Sequence, residues 1–420
     1  MDRRHFIATL GAMAAPGCRY WPQDGLHNPC LAADLPASLK KHPLIQQAWT
    51  GLDPEQVLDS HVHLLGEGDS GSGMWVNPEM RSLWHPLQRL QRSFFLNGAC
   101  VDDGMPMDSA FLDRLLACQA GMGKSARLLL LAFDYHYDES GRRQPQASAF
   151  HVPNKHAAGL SRRYPQQLAW AASIHPYRTD AIAALETAVR HGARAVKWLP
   201  PAMGMDPASA RCDGFYAALA RWGLPLISHA GDERAVRGSD SQHLGNPLRL
   251  RRALDHGVRV IVAHCASLGT GQDTDRGANG PQVPNFLLFA RMMEEARYQG
   301  LLFGEISAVT QRNRAPMVLD ALLTRTEWHP RLVNGSDYPL PGIYPLFAPQ
   351  EMAERGLLAA KNVPVLSAVR QHNPLLFDFL LKRTLRRGTH AFAPEVFESS
   401  RLFPPIRPAK ALPKNAADVW

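Results

Sequence analysis

The chain has 420 residues, 45% of them hydrophobic and 20% charged, with a formal net charge of +8. That is enough chain for one large domain or two smaller ones with an ample core. Its positive residues are scattered, with short clusters only at 249–252 and 382–387, which argues against a nucleic-acid partner. No apolar run is long enough to span a bilayer.

The six cysteines stand at 18, 30, 100, 118, 212 and 265 without CxxC spacing. The sequence therefore predicts neither a zinc ribbon nor a disulfide framework.

Residues 1–33 have the composition of an export signal. Arg3 and Arg4 precede a short, mildly apolar run, a pattern typical of a twin-arginine signal. Two ways of processing the signal stay open. Cys18 could be lipidated, which would attach the protein to a membrane, or the chain could be cleaved near residues 31–33. Either way we expect a periplasmic protein or one anchored facing the periplasm.

The stretch VLDSHVHLLG, residues 57–66, organises the rest of the chain. As a strand it would place His61 and His63 on one face, since side chains alternate with period two. Two imidazoles at one strand end can share a metal ion. The glycine-rich residues 66–80 that follow are predicted to form a loop over this site.

Seven further apolar runs end in polar or ionisable residues, and amphipathic helical segments separate most of them. Buried strands alternating with helices indicate a parallel sheet, and eight units favour a closed (β/α)8 TIM barrel of the α/β class. We expect the barrel at 34–390, with an N-terminal extension, an insertion between strands 1 and 2, and a tail at 391–420 that is a wrapping arm or disordered. The seven strand-end residues are Asp134, His175, Lys197, His229, His264, Glu305 and Asp337.

The carboxyl ends of all strands in such a barrel meet on one face, where chemistry gathers. Buried polar groups are costly unless they share partners, and a shared cation is the simplest partner for this set.

With HVH after the first strand, Lys197, His229 and His264 at later strand ends, and GSDYP around Asp337, residues 57–386 resemble the amidohydrolase superfamily. The Asn-led segment NPLLF at 373–377 adds to the likeness. The resemblance implies a divalent ion, Zn²⁺ or similar, held by His61, His63, His229 and Asp337. It implies that Asp337 is the catalytic base, and that His264 binds a second ion or polarises the substrate carbonyl.

Lys197 decides the number of ions in this scheme. Carboxylated, it would bridge two metals; cationic, it would turn away from a single metal and bind a substrate carboxylate. We expect one ion.

Other residues near the strand ends are candidates for substrate contact: Arg178 as a carboxylate clamp, Trp75 and Trp198 as pocket walls, and Glu305, which could instead orient a ligand histidine.

The sequence thus predicts an enzyme: a metal-dependent hydrolase of C–N or C–O bonds in a small-molecule amide, lactone or ester. Two alternatives stay open, a metal-dependent non-oxidative decarboxylase on the same barrel and a non-catalytic periplasmic metal- or ligand-binding protein.

Overall fold

A computed structural model describes residues 25–123, 125–236, 239–314, 316–405 and 418–420. Eight parallel strands form its centre: β1 Leu58–His63, β2 Arg127–Leu131, β3 Leu168–Ala171, β4 Val196–Trp198, β5 Leu226–His229, β6 Val260–Ala263, β7 Leu302–Glu305 and β8 Leu332–Val333.

The strands close into a TIM barrel, as predicted. Hydrogen bonds join β1 to β2 to β3, and β4 through β8 in sequence. Parallel bridges between Ala172 and Val196 and between Val62 and Tyr338 close the two remaining seams.

Helices surround the barrel and connect its strands. They are α1 Ala37–Lys40, α2 Pro43–Gln47, α3 Pro86–Ala99, α4 Met107–Ala120, α5 Asn154–Arg163, α6 Ala181–Arg190, α7 Pro200–Met203, α8 Asp213–Trp222, α9 Arg251–Asp255, α10 Asn285–Glu294, α11 Pro316–Thr324, α12 Pro349–Glu354, α13 Val363–His372 and α14 Pro374–Thr384. Helices α3 and α4 are the predicted insertion between the first two strands. Within the described ranges, no helix is both long and apolar enough to cross a membrane.

Strand alternation divides the core into two layers. In β2, Leu128 and Leu130 belong to the large outer cluster that packs against the helices, whereas Leu129 and Leu131 belong to the cluster inside the barrel. Consecutive side chains of a strand point to opposite faces, so each apolar run serves both layers.

The C-terminal segment 391–405 is a packed arm. Its Leu402 and Phe403 are buried in the inner cluster of the barrel. Ser400 donates its backbone N–H to the carbonyl of Gln56, just before β1, and Arg194, just before β4, bonds the Phe403 carbonyl at 3.0 Å. The arm therefore closes the amino end of the barrel.

A disulfide joins Cys30 to Cys100, with 5.3 Å between the Cα atoms, which corrects the prediction that the cysteines form no such bond. Their separation of 70 positions in the sequence hides the pairing. Cys118, Cys212 and Cys265 are free and buried.

Candidate metal centre

His61 and His63 of β1 lie side by side at the carboxyl end of the barrel, with 5.1 Å between their ring centroids. Val62 between them is fully buried in the outer cluster. The register of β1 against β2 shifts between Asp59 and Val62, an irregularity of the kind that re-aims side chains beside functional sites.

Glu305, at the end of β7, fixes the orientation of His61. Its Oε2 accepts a hydrogen bond from Nδ1 of His61 at 2.9 Å. Burial opposes its ionisation, but His61, the hydrogen bonds from His61 and Ser307, and Lys197 outweigh that and lower its pKa. A carboxylate that accepts the proton of one ring nitrogen leaves the other nitrogen, here Nε2, unprotonated and able to bind a metal.

Asp337 follows β8 and faces both histidines. Its Oδ1 lies 3.1 Å from Nε2 of His63 and 3.5 Å from Nε2 of His61. Burial would raise its pKa, but His61, His264 and His63 together hold that pKa well below its usual value. Nitrogen and oxygen ligand atoms of these three residues all lie within 4.8 Å of one another, close enough for one ion.

His264 follows β6 and presents Nε2 to the other Asp337 oxygen, Oδ2, at 4.0 Å. Its Nδ1 lies 2.6 Å from the Ser307 hydroxyl and 3.2 Å from the Ser307 carbonyl, and that hydroxyl lies 2.7 Å from Oε2 of Glu305. Burial lowers the pKa of His264 well below its usual value, so the ring is neutral. Ser307 thus links His264 to the carboxylate that orients His61.

The backbone around these residues is unusual. His264, Cys265 and Ala266 have φ of 57°, 49° and 50°, and Asp337 has φ of 62°. Such left-handed conformations strain non-glycine residues and gather at functional sites.

His229, at the end of β5, provides the test of whether this set fits a metal. The side chain is 3% exposed, yet neither ring nitrogen makes a hydrogen bond within the described part of the chain. Nδ1 lies 3.4 Å from Glu233 Oε2 without hydrogen-bonding geometry, and the ring centroid lies 5.3 Å from that of His264. Burial, reinforced by Lys197, lowers the pKa of His229 to about 3. A buried, neutral imidazole without a partner is costly unless it binds a ligand such as a metal.

Lys197 of β4 points into the barrel. Its Nζ lies 3.1 Å from Nε2 of His61. Burial lowers its pKa from 10.5 to about 8, although Glu305, Asp337 and Glu233 act in the opposite direction. The amine therefore loses its proton far more readily than an exposed lysine.

Arg314 and Ser307 were not among the residues predicted from the sequence. Arg314 lies in the loop after β7, is buried, and its Nε and Nη1 have no hydrogen-bond partner among the described residues. Burial lowers its pKa to about 10 against the opposing charges of Asp337 and Glu233. Ser307 stands two residues after Glu305, so strand periodicity could have placed it on the same face.

A cavity of about 120 Å³ opens above the site. His61, His63, His264 and Asp337 line its base. Residues of the 66–80 segment and of α3 form much of its wall, which confirms the prediction that this segment covers the site.

The amidohydrolase family model matches residues 59–361, well over half of the chain. This chain belongs to the amidohydrolase family. Comparison with curated proteins gives no match.

Solved structures with the same fold cover most of this amidohydrolase. An uncharacterized TIM-barrel protein from Bordetella bronchiseptica is 16% identical, with 74% of this chain and 99% of that chain covered and a TM-score of 0.45. A proposed 2-pyrone-4,6-dicarboxylic acid hydrolase from Pseudomonas putida is 18% identical (77% and 97% covered, TM-score 0.42). The 5-carboxyvanillate decarboxylase from Sphingomonas paucimobilis is 12% identical (76% and 96%, 0.41). At these values the likeness carries no argument about activity.

Two of the residues predicted to contact the substrate of this amidohydrolase, Arg178 and Trp198, do not line the cavity. Arg178 pairs with Asp134 at 2.9 Å and with Asp180 at 2.7 Å, so its guanidinium is already neutralised. Trp198 follows the inward-pointing Lys197 and therefore faces outward, where it packs against Phe215 and Tyr216.

Trp75 stacks near Tyr135, outside the cavity wall. Glu305 likewise does not line the cavity: its carboxylate is held by His61 and Ser307, the geometry of the alternative role that the sequence offered.

Proposed function

We propose that this amidohydrolase is a metal-dependent hydrolase of a C–N or C–O bond in an amide, lactone or ester. The observation that carries the proposal is the buried His229, which has no hydrogen-bond partner in the described part of the chain and lies beside the convergent atoms of His61, His63 and Asp337. These four residues would hold one divalent ion. Their mixed nitrogen and oxygen donors suit Zn²⁺.

The bound ion would lower the pKa of a water molecule to about 7 and so supply hydroxide at neutral pH. Asp337, with its pKa far below neutrality, is ionised and able to accept the water proton and pass it to the leaving group. His264 is neutral, and in the tautomer in which the Ser307 hydroxyl donates to Nδ1 its Nε2–H would donate a hydrogen bond to the substrate carbonyl and polarise it.

One ion agrees best with these contacts. The ligand atoms of His61, His264 and Glu305 also lie within 4.8 Å of one another, but hydrogen bonds to Ser307 already join them. We therefore propose that Lys197 is not carboxylated and that its amine can lose its proton beside the metal.

Metal analysis tests the assignment. Purified protein, stripped and reloaded with Zn²⁺, should hold about one ion per chain by plasma mass spectrometry, and His229→Ala should lose both metal and hydrolysis of an ester, lactone and amide panel. His256→Ala, on the exposed surface beside Asp213, is the matched control and should lose neither. Full occupancy in His229→Ala would remove this residue from the ligand set. Metal-dependent CO₂ release without hydrolysis would favour the decarboxylase, and metal binding without turnover the binding protein.

We also propose export through the twin-arginine pattern, which lies outside the described residues, as does Cys18. The Cys30–Cys100 disulfide supports this, because such bonds persist in oxidising compartments. Cleavage near residues 31–33 would remove Cys30, so the disulfide argues against cleavage at that position. Changing Arg3 and Arg4 to Lys should retain the protein in the cytoplasm on fractionation, and unchanged periplasmic or membrane recovery would contradict the proposal. Cys18→Ala should release a lipid-anchored protein into the soluble fraction.

A further inference from the structure

Ionisable side chains line the base of the cavity above the site and a few positions of its wall. Most of the wall is apolar, and its largest side chains are Phe95, Phe133, Phe150, Met80, Met107 and Leu340. Phe133 and Phe150 are in contact with 4.4 Å between their ring centroids and their planes tilted by 32°. Phe95 and Phe150 are only half-buried. These surfaces gain free energy when an apolar ligand group covers them.

The charged wall residues are already paired with other protein groups. Arg92, the only arginine or lysine in the described wall, bonds Glu67 at 2.8 Å and Asp103 at 2.9 Å. Glu233 accepts the backbone N–H groups of Ala235 and Val236 at 2.6 and 3.1 Å. A substrate carboxylate in the cavity would therefore meet no unpaired lysine or arginine among the described lining residues.

Two buried cations close to the base of the cavity bear on this conclusion. Lys197 is not part of the wall, and its Nζ contacts Nε2 of His61 at 3.1 Å. The other cation is Arg314. It is not part of the wall, and its charge acts on Asp337 and Glu233. Its buried guanidinium balances these acids, which would otherwise leave excess negative charge at the base of the cavity.

We propose that the cavity binds the apolar acyl arm of a neutral amide, ester or lactone and discriminates against substrates with a second, anionic group. This inference rests on the proposed function for the position of the scissile bond. The volume is comparable to that of an apolar cavity that holds a benzene ring. The arm is accordingly expected to have about six carbons in the enclosed part.

Binding of unreactive ligands to metal-free protein tests the proposal independently of catalysis. Propanamide and hexanamide differ by three methylenes, each worth about a fourfold change in affinity when buried. By calorimetry we expect hexanamide to bind at least tenfold more tightly than propanamide. The monoamide of adipic acid, which carries a carboxylate where hexanamide has its methyl group, should bind at least tenfold more weakly than hexanamide.

Phe95→Ser should reduce the preference for hexanamide severalfold, with Leu287→Ser as control, since Leu287 is 42% exposed on α10, outside the cavity. Phe150→Leu provides a second wall variant should Phe95→Ser not fold. Equal affinities for the two neutral amides, or tighter binding of the adipic monoamide, would overturn the proposal. The expected binding pattern without any metal-dependent hydrolysis would leave it standing and remove the proposed function instead.

Discussion

The two ends of the barrel differ in how they treat polar groups. At the carboxyl end, His229 is buried and has no hydrogen-bond partner among the described residues, and Lys197 is deprotonated more readily than usual. The backbone there is left-handed at His264, Cys265, Ala266 and Asp337. At the amino end, Leu402 and Phe403 of the C-terminal arm fill the space between the strands with apolar side chains.

Each strand contributes residues to both ends. The same hydrogen-bonded sheet therefore connects the apolar amino end with the strained backbone of the site. Buried polar groups and strained backbone persist only where the surrounding structure holds them in place. We infer that substitutions at the carboxyl end affect activity without loss of stability, whereas those at the amino end do the reverse.

The largest expected effect is at Asp337. Asp337→Asn removes the proposed base and should lower turnover by roughly 10²–10⁴-fold, as is typical for loss of general acid–base catalysis. The free energy of unfolding in urea should fall only slightly, because the histidines that lower the pKa of Asp337 favour its carboxylate in the fold whereas burial opposes it. Asp206→Asn, which breaks only the partly exposed pair with Arg249, is the control. Wild-type turnover in Asp337→Asn would refute its role as base.

At the opposite end, Phe403→Ala should reduce the free energy of unfolding by about 3–5 kcal/mol, the usual cost of removing a buried phenylalanine side chain. Phe403→Leu keeps most of the apolar volume and should cost less than about 1.5 kcal/mol. Metal content per folded chain should not change in either variant. A loss below about 1 kcal/mol in urea titrations would show that the arm does not close the barrel in solution.

Lys197 offers a comparison through pH in metal-free protein. Its folded pKa is about 8 against 10.5 when exposed, so between these values the unfolded chain binds more protons and stability rises with pH. The gain in stability across this window is at most between about 3 and 4 kcal/mol, since a pKa difference of one corresponds to about 1.4 kcal/mol. Relative to Lys197→Met, the wild type should gain stability as pH rises through this window. A parallel pair of stability curves would contradict the lowered pKa.

The smallest effect is expected at Glu305, which bonds a ligand histidine. Glu305→Gln should weaken metal affinity by roughly 10–100-fold, as is typical when such a partner is changed. Competition with a chelator measures this. The control is Asp255→Asn, which changes a carboxylate on the surface next to Arg297. Unchanged affinity in Glu305→Gln would show that His61 is positioned without its carboxylate.

The barrel was predictable because its apolar residues recur with the two-residue period of strands and the 3.6-residue period of helices. Period two placed His61 beside His63, and apolar runs ending in Lys197 or His229 located the carboxyl face. The same alternation implies that Trp198, next to the inward-pointing Lys197, faces outward. The prediction of Trp198 as a pocket wall did not apply this rule. Gly223, directly after α8, has φ of 61°, the left-handed conformation typical of a glycine that ends a helix.

The remaining features depend on contacts between distant segments with no periodic signal. Arg314 enters from a loop, and Phe403 reaches the barrel from a Pro-rich tail. The ion pairs of Arg178 depend on the position of Asp134, 44 residues earlier. The Cys30–Cys100 bond likewise follows from the packing of residues 25–33 against α3, where Asn28 and Asn97 exchange hydrogen bonds of 2.8 and 3.0 Å.

The redox state of the Cys30–Cys100 pair indicates whether a given sample of the protein folded in an oxidising or a reducing compartment. Cys118, Cys212 and Cys265 are buried, so in native, oxidised protein the described cysteines offer no accessible thiol to a polar reagent. Material folded in a reducing cytosol would carry two additional thiols at Cys30 and Cys100. A thiol titration of undenatured Cys18→Ala protein would therefore distinguish preparations from the two compartments before any activity is known.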